Sequence, residues 1–247
     1  MSTDMFVLVF AAQKGGVGKT TLAGHVAVTA HLAGAGPVGL IDTDPQGSMQ
    51  KWMEVRSLDG PTLFQSDYGG VGPALRKAAQ AGMRLAIVDT PPAVTRAISD
   101  VVSYADMVVV PTRPSPHDLR AVGPTVDIAQ WHDKPLVFVV NAATARTRIT
   151  ADAAVALSQH GTVAPVTLHH RVDFAASMID GRTVMETKPN GKSAGEVEAL
   201  WTYLADRIDR LRPAQSQAPT DAFGSHVPSN VNALGRQAPA FGRRAGH

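Results

Sequence analysis

Two lysines, three glycines and two threonines fall within the run Lys14-Gly15-Gly16-Val17-Gly18-Lys19-Thr20-Thr21. A strand leading into such a loop and a helix leading out of it would aim successive backbone N–H groups at one point, an anion cradle at a helix N-terminus. Glycine is needed there because the main chain must approach phosphate oxygens closely and take positive φ. In that setting Gly15, Gly16, Val17, Gly18 and Thr21 wrap the anion, Lys19 pairs with the outer phosphates, and the Thr20 hydroxyl is placed to ligate Mg²⁺. The general phosphate-loop pattern has glycine where this chain has Gln13, a departure of one residue.

Three carboxylates stand where a nucleotide site needs them. Asp89 ends the apolar run Leu85-Ala86-Ile87-Val88 and precedes Thr90-Pro91-Pro92. A carboxylate at the C-terminal edge of a parallel strand faces the ligand crevice, where it can hold a water of a Mg²⁺ shell. Asp42 and Asp44 end another apolar run two residues apart. Each aspartate taken singly also fits a turn or helix-capping role. Together at strand ends they favour the site.

The elements that must position these groups are legible from periodicity. Apolar runs predict strands at Phe6–Ala12, Val38–Ile41, Leu85–Asp89, Met107–Pro111, Leu136–Val140 and Val163–Leu168, with a weaker one at Thr62–Gln65. Helix-length segments lie between them, at Lys19–Ala33, Val71–Ala81, Thr95–Ser103, His117–Trp131 and Thr150–His160. Alternation of this kind predicts a single α/β domain over residues 1–212, doubly wound, with a mostly parallel sheet of about seven or eight strands flanked by helices. Val197, Leu200, Trp201, Leu204, Ile208 and Leu211 form an apolar stripe on a final helix. Beyond Pro213 the composition shifts to Ala, Gly, Pro, Ser, Gln and Asn, and residues 213–247 are expected to be a disordered tail.

On these residues the chain is identified as a member of the ParA/MinD family. Its loop resembles that family's deviant Walker A motif, with the additional lysine at the start. Ile41-Asp42-Thr43-Asp44-Pro45-Gln46-Gly47-Ser48 resembles the second acidic motif, Val88-Asp89-Thr90-Pro91-Pro92 the Walker B, and Val110-Pro111-Thr112-Arg113-Pro114-Ser115 the segment lining the adenine. The resemblance implies an ATP hydrolase, slow until a partner stimulates it, with ATP and Mg²⁺ as ligands. It implies that Lys14 reaches a second copy's phosphates in an ATP-dependent homodimer and that Lys19 acts in cis. Asp44 would position the attacking water, while Thr20, Asp42 and Asp89 serve the metal. Pro111, Thr112 and Pro114 would line the base. Asn141, at a strand end, fits either a hydrogen bond to the adenine edge or a turn.

Within the family, absences discriminate. Nitrogenase-type iron proteins, cluster scaffolds and arsenite-pump ATPases use cysteine, and this chain has none. The three tyrosines are scattered rather than gathered in a tail. The segment after Pro213 lacks the basic amphipathic pattern of a MinD-like membrane helix. The chain resembles the small ParA-type form, without an N-terminal helix-turn-helix, and the resemblance implies non-specific DNA and a ParB-like, cargo-bound adaptor as partners. A cytoplasmic, nucleoid-associated protein without a membrane partner is expected. A MinD-like membrane-cycling regulator and a small-molecule kinase or synthetase are the alternatives.

Charge bears on the DNA expectation. The net charge of +2 is accounted for by Arg236, Arg243 and Arg244 against Asp221, so residues 1–212 balance to zero. A DNA surface on the folded part must therefore be a local patch. Arg171 is the first candidate for phosphate contact, with Arg207, Arg210 and Arg212 behind it. His169 and His170, being adjacent on a strand, face opposite ways and are not expected to hold a metal. Trp131 and Trp201 are read as core or dimer-surface residues.

Overall fold

A computed structural model describes residues 5–66, 70–92 and 95–212. The expectation of a disordered tail falls outside these residues.

The strands are β1 (Phe6–Phe10), β2 (Val38–Asp42), β3 (Thr62–Gln65), β4 (Leu85–Asp89), β5 (Met107–Thr112), β6 (Leu136–Ala143) and β7 (Thr162–His169). They form one seven-stranded sheet in the order β3-β2-β4-β1-β5-β6-β7. Every pairing is parallel. The helices are α1 (Lys19–Leu32), α2 (Ser48–Glu54), α3 (Val71–Gln80), α4 (Thr95–Ser103), α5 (Pro116–Arg120), α6 (Gly123–Trp131), α7 (Arg148–Ser158), α8 (Val172–Ser177), α9 (Val184–Thr187) and α10 (Lys192–Leu211).

The two faces of the sheet bury two separate cores, as alternation along a strand requires. Phe6, Leu8 and Phe10 of β1 pack with α1 and the α10 stripe of Leu200, Trp201, Leu204 and Ile208. Val7 and Val9, their neighbours in sequence, pack on the other side with α3, α4, α6 and α7. Strands buried on both faces read as unbroken apolar runs, which is why composition alone located them.

The stretch expected as one helix over His117–Trp131 is two, α5 and α6. The break falls at Gly123-Pro124, where proline can begin a helix but cannot donate within one. Trp131, at the end of α6, is 85% exposed, whereas Trp201 lies in the core. No described helix is long and apolar enough to cross a membrane.

Helix α2 sits beside the acidic motif and is bolted at its far end. The Arg56 guanidinium meets both carboxylate oxygens of Glu186, at 2.6 and 3.1 Å, and also donates to the Gly60 and Gly181 carbonyls. Glu186 in turn closes a capping box with Thr183. Gly181 has φ of 78°, and a Cβ there would fall on the Arg56 main chain. Both side chains of the ion pair are buried. Removing one partner of such a pair strands the other charge. Glu186→Ala should therefore lower unfolding free energy by about 3–5 kcal/mol, read as a reduced urea midpoint at unchanged slope.

Candidate nucleotide site

Strand register brings the candidate groups to one level. Phe10, the last residue of β1, pairs with Asp89 of β4, and Asp42 of β2 pairs with the same Asp89. The carboxyl ends of β1, β4 and β2 thus meet, and the glycine loop rises from the first of them. Threonine side chains tie the three together. Thr43 Oγ1 donates to the Asp89 carbonyl at 2.7 Å, and Thr90 Oγ1 donates to the Phe10 carbonyl at 2.9 Å.

The loop takes the backbone form that its glycines permit. Gly16 and Gly18 have φ of 72° and 95°. Gly18 caps α1, and a Cβ at that position would collide with the Asn141 side chain. Asn141 Nδ2 donates to the Val17 carbonyl at 2.7 Å, so it braces the loop from β6. Of the two roles open to Asn141, this geometry supplies a third, a clamp on the cradle itself.

At the base of the loop, Thr20 Oγ1 donates to Asp89 Oδ2 at 2.5 Å. Asp89 is fully buried, and its Oδ1 has no hydrogen-bond partner. Burial pushes its carboxyl up to about 7, with the Thr20 hydrogen bond opposing and Asp42 adding to the rise. Lys19, also buried, contacts the Lys14 carbonyl at 3.4 Å. Burial lowers its ammonium below the usual lysine value, and the Asp89 and Asp44 charges pull it back.

The second acidic motif divides its labour. Asp42 accepts from Asp44 N on one oxygen and from Met49 N and Gln50 N on the other, at 2.9, 2.9 and 3.2 Å. It seats the start of α2 as well as facing the site. Burial raises its carboxyl and these backbone donors lower it, with a net rise. Asp44 closes a turn by accepting from Gln46 N. It also lines, with Asp42, Pro91 and Asp100, a cleft of about 440 Å³.

Lys14 does not turn inward. Its ammonium pairs with Asp118 of α5 at 3.0 Å while the side chain stays 39% exposed. Asp118 is buried and bonded to Ser115, the cap of α5. Sequence reading missed this partner, although Ser115-Pro116-His117-Asp118 has the spacing of a helix cap.

A second cavity, of about 220 Å³, opens on the other side of the loop. Gly16, Gly18, Thr21, Arg113, Asn141 and His169 are among its lining residues. Pro111 and Thr112, expected at the base, are buried inside β5, and Arg113 is the residue of that segment that lines the cavity.

The arginines expected to meet DNA are not gathered as free cations. Arg171 makes a bidentate pair with Glu196 at 2.5 and 2.8 Å and lines the second cavity. His169 donates to or shares a proton with the same carboxylate at 2.7 Å. Burial works to raise the Glu196 carboxyl, but the Arg171 and His169 bonds outweigh it and hold it low. Arg207 lies over the Tyr203 ring, Arg210 pairs with Asp206, and Arg212 donates to the Arg84 carbonyl. No local pattern announces Glu196, which lies 25 residues from Arg171.

The donor set fits Mg²⁺, a hard cation that binds through one or two protein oxygens plus substrate phosphates and waters. Thr20 Oγ1 and the orphaned Asp89 oxygen would supply the protein share. Among the described residues no His, Cys, Asp or Glu group would hold a metal unaided.

A seven-stranded parallel sheet with a phosphate loop after β1 and acids at the ends of β2 and β4 defines a P-loop nucleotide-binding domain. Residues 8–184 match the CobQ/CobB/MinD/ParA nucleotide binding domain, and the chain belongs to that family. Within it the chain is similar to the maintenance of carboxysome distribution protein A of Gloeobacter kilaueensis, 33% identical over 80% of this chain and 91% of the relative. The protein of the same name from Halothiobacillus neapolitanus is 29% identical over 79% and 94%. The fold is shared with a Cyanothece McdA variant in complex with ATP, at a TM-score of 0.67 and 17% identity over 84% of this chain and 98% of that one. It is shared equally with Pyrococcus horikoshii MinD complexed with Mg-ADP, at 0.68 and 14% over 84% and 98%.

Asp89 carries a pH signature. Its folded value near 7 exceeds the ordinary 3.8, so the fold favours the acid form. The penalty on the folded state grows as pH rises from the lower value to the higher and then levels off. Asp89→Asn removes it. Without nucleotide, that variant should melt higher than the parent at pH 8, with the gap narrowing toward pH 5, as differential scanning calorimetry would record.

Proposed function

We propose that this chain is a ParA-type positioning ATPase. It dimerises around ATP and Mg²⁺, loads onto DNA without sequence preference, and is released when a cargo-bound adaptor stimulates hydrolysis. The cycle distributes a cargo through the cell. The names of the two curated relatives favour a protein assembly as that cargo, with a plasmid or chromosome region as the other occupant of the same mechanism.

The observation that carries the reading is the meeting of Thr20, Lys19 and the orphaned Asp89 oxygen beneath the glycine loop. Phosphoryl transfer asks for positioning and charge neutralisation more than for covalent help. The loop amides and Lys19 hold the phosphates. Bound Mg²⁺ would neutralise charge shared between Thr20, Asp89 and the phosphate oxygens. Asp44, half-buried at the mouth of its cleft, orients the attacking water.

Lys14 supports the dimer. A cation held in reserve on Asp118, more than a third exposed, is available to a second copy's phosphates. Exchange of a carboxylate for a triphosphate makes the contact depend on nucleotide.

Two measurements test this. Lys19→Ala should weaken Mg·ATP binding by about tenfold or more, the loss of one charge-assisted contact, in titration calorimetry; equal affinity would end the nucleotide reading. Asp44→Ala should bind ATP, fail to hydrolyse it and accumulate as a dimer in light scattering. A monomer at saturating ATP would refute the sandwich.

A further inference from the structure

The DNA-loading reading above needs a surface, and the arginines singled out from sequence are engaged elsewhere. Among the remaining cations, four exposed arginines are gathered with little opposing charge along one edge of the fold. That edge is the carboxyl end of β5 and β6.

The two strands are neighbours in the sheet, so the loops that follow them lie side by side, and α5 packs against α7. The first loop and its helix carry Arg113 and Arg120, the second Arg146 and Arg148. All four are exposed. Among the described residues, the guanidinium groups of Arg113, Arg120 and Arg146 make no hydrogen bond or ion pair. Arg148 keeps only a loose 3.6 Å contact with Asp152 at 92% exposure, a pairing of little strength.

Opposing charge is scarce. Between residues 113 and 121 the sole acid is Asp118, which is buried beneath the surface that the arginines occupy. Between residues 141 and 151 there is none. Elsewhere Arg182, Lys188 and Arg210 are each balanced by a nearby aspartate. The chain balances its charge overall yet leaves it unbalanced here.

The groups interleaved with these arginines are Ser115, Thr144, Thr147 and Thr150. Hydroxyls of this kind accompany arginine on phosphate backbones. Within 113–121 and 144–150 the exposed large apolar side chain is Ile149 alone. A membrane surface asks for a broad apolar face. DNA does not.

We propose that the loops after β5 and β6 form the polyanion-contacting surface of this protein, with Arg120, Arg146 and Arg148 meeting the phosphates of duplex DNA. Arg113 stands at the seam between this surface and the second cavity of the nucleotide site. The proposal rests on the DNA-loading reading and assigns the residues that perform it. Contacts of this type release counterions, so affinity falls steeply with salt and is indifferent to sequence.

The test uses the full chain with ATP, Mg²⁺ and a fluorescent random-sequence duplex, titrated by anisotropy across a salt series. R120E/R146E should lose at least about tenfold in affinity at about 0.15 M salt. Its plot of log affinity against log salt should be shallower by about 2, one unit per lost phosphate contact. R120K/R146K should restore binding, since charge rather than shape is at stake, and R207E/R210E should bind as the parent does. Calorimetric ATP affinity of R120E/R146E should match the parent; if it does not, R120E and R146E are read singly, each with a slope shallower by about 1.

Parent-like DNA binding by the charge-reversed protein, or no rescue by lysine, overturns the surface while the DNA reading stands. A parent that binds no DNA with ATP overturns the reading and this surface together. A parent that binds anionic vesicles of phosphatidylglycerol instead overturns both in favour of a membrane partner.

Discussion

A buried carboxylate with one oxygen left bare is the constraint around which this molecule is arranged. Asp89 ends β4, the strand that pairs with both β1 and β2, and the register sets Phe10 and Asp42 at its own level. Three strand ends are thereby held flush, so that the glycine loop, Asp42 and Asp89 converge without any long side chain having to reach. Burial without a full set of partners is costly. The folded chain tolerates it because Thr20 satisfies one oxygen and the group favours its protonated form. The bare oxygen is the one that Asp89 would offer to a bound Mg²⁺, which would supply the positive charge that the buried carboxylate lacks.

The charges around the loop bear on the metal that the proposed function calls for. Asp44 and Asp89 act on one buried ammonium, that of Lys19, and Asp42 acts on Asp89 beside it. A triphosphate brought against three acids and one lysine would be repelled at short range, and main-chain amides alone offer only partial charges. A divalent cation changes that balance, and an additional lysine from outside changes it further. Lys14 is kept from its own loop by Asp118. On the proposed dimer, the positive charge that the isolated subunit lacks at its loop would come from a second copy.

Much of this was legible before any coordinates. β3, β4 and α4 run over the residues that periodicity assigned, and β4, buried along its whole length, spells itself out as an apolar run. The loop and its acids were legible for a different reason. Phosphate binding demands glycine and lysine at fixed local offsets, and strand ends mark where carboxylates face the crevice. Short helices such as α2, α8 and α9 have too few turns for a periodic signal, and Gly123-Pro124 broke a stretch that looked continuous. Partners remote in sequence were hidden altogether. Glu196 for Arg171, Glu186 for Arg56 and Asn141 for the Val17 carbonyl are contacts between segments that only the sheet brings together.

The same limit governs what can be said of surfaces. An arginine in a sequence is a formal charge, but in the fold it is a charge minus whatever carboxylate or ring it lies against. Arg171 looked available and is held by Glu196; the Arg146 side chain looked unremarkable and has no ion-pair partner among the described residues. The fold is shared by a MinD and a McdA, so the fold cannot by itself choose a partner. On the surface proposed above, that choice would fall to the rim of the sheet, where the loops after β5 and β6 are free of the constraints that strand register imposes on the phosphate site. Partner specificity can change there while the chemistry beneath stays fixed.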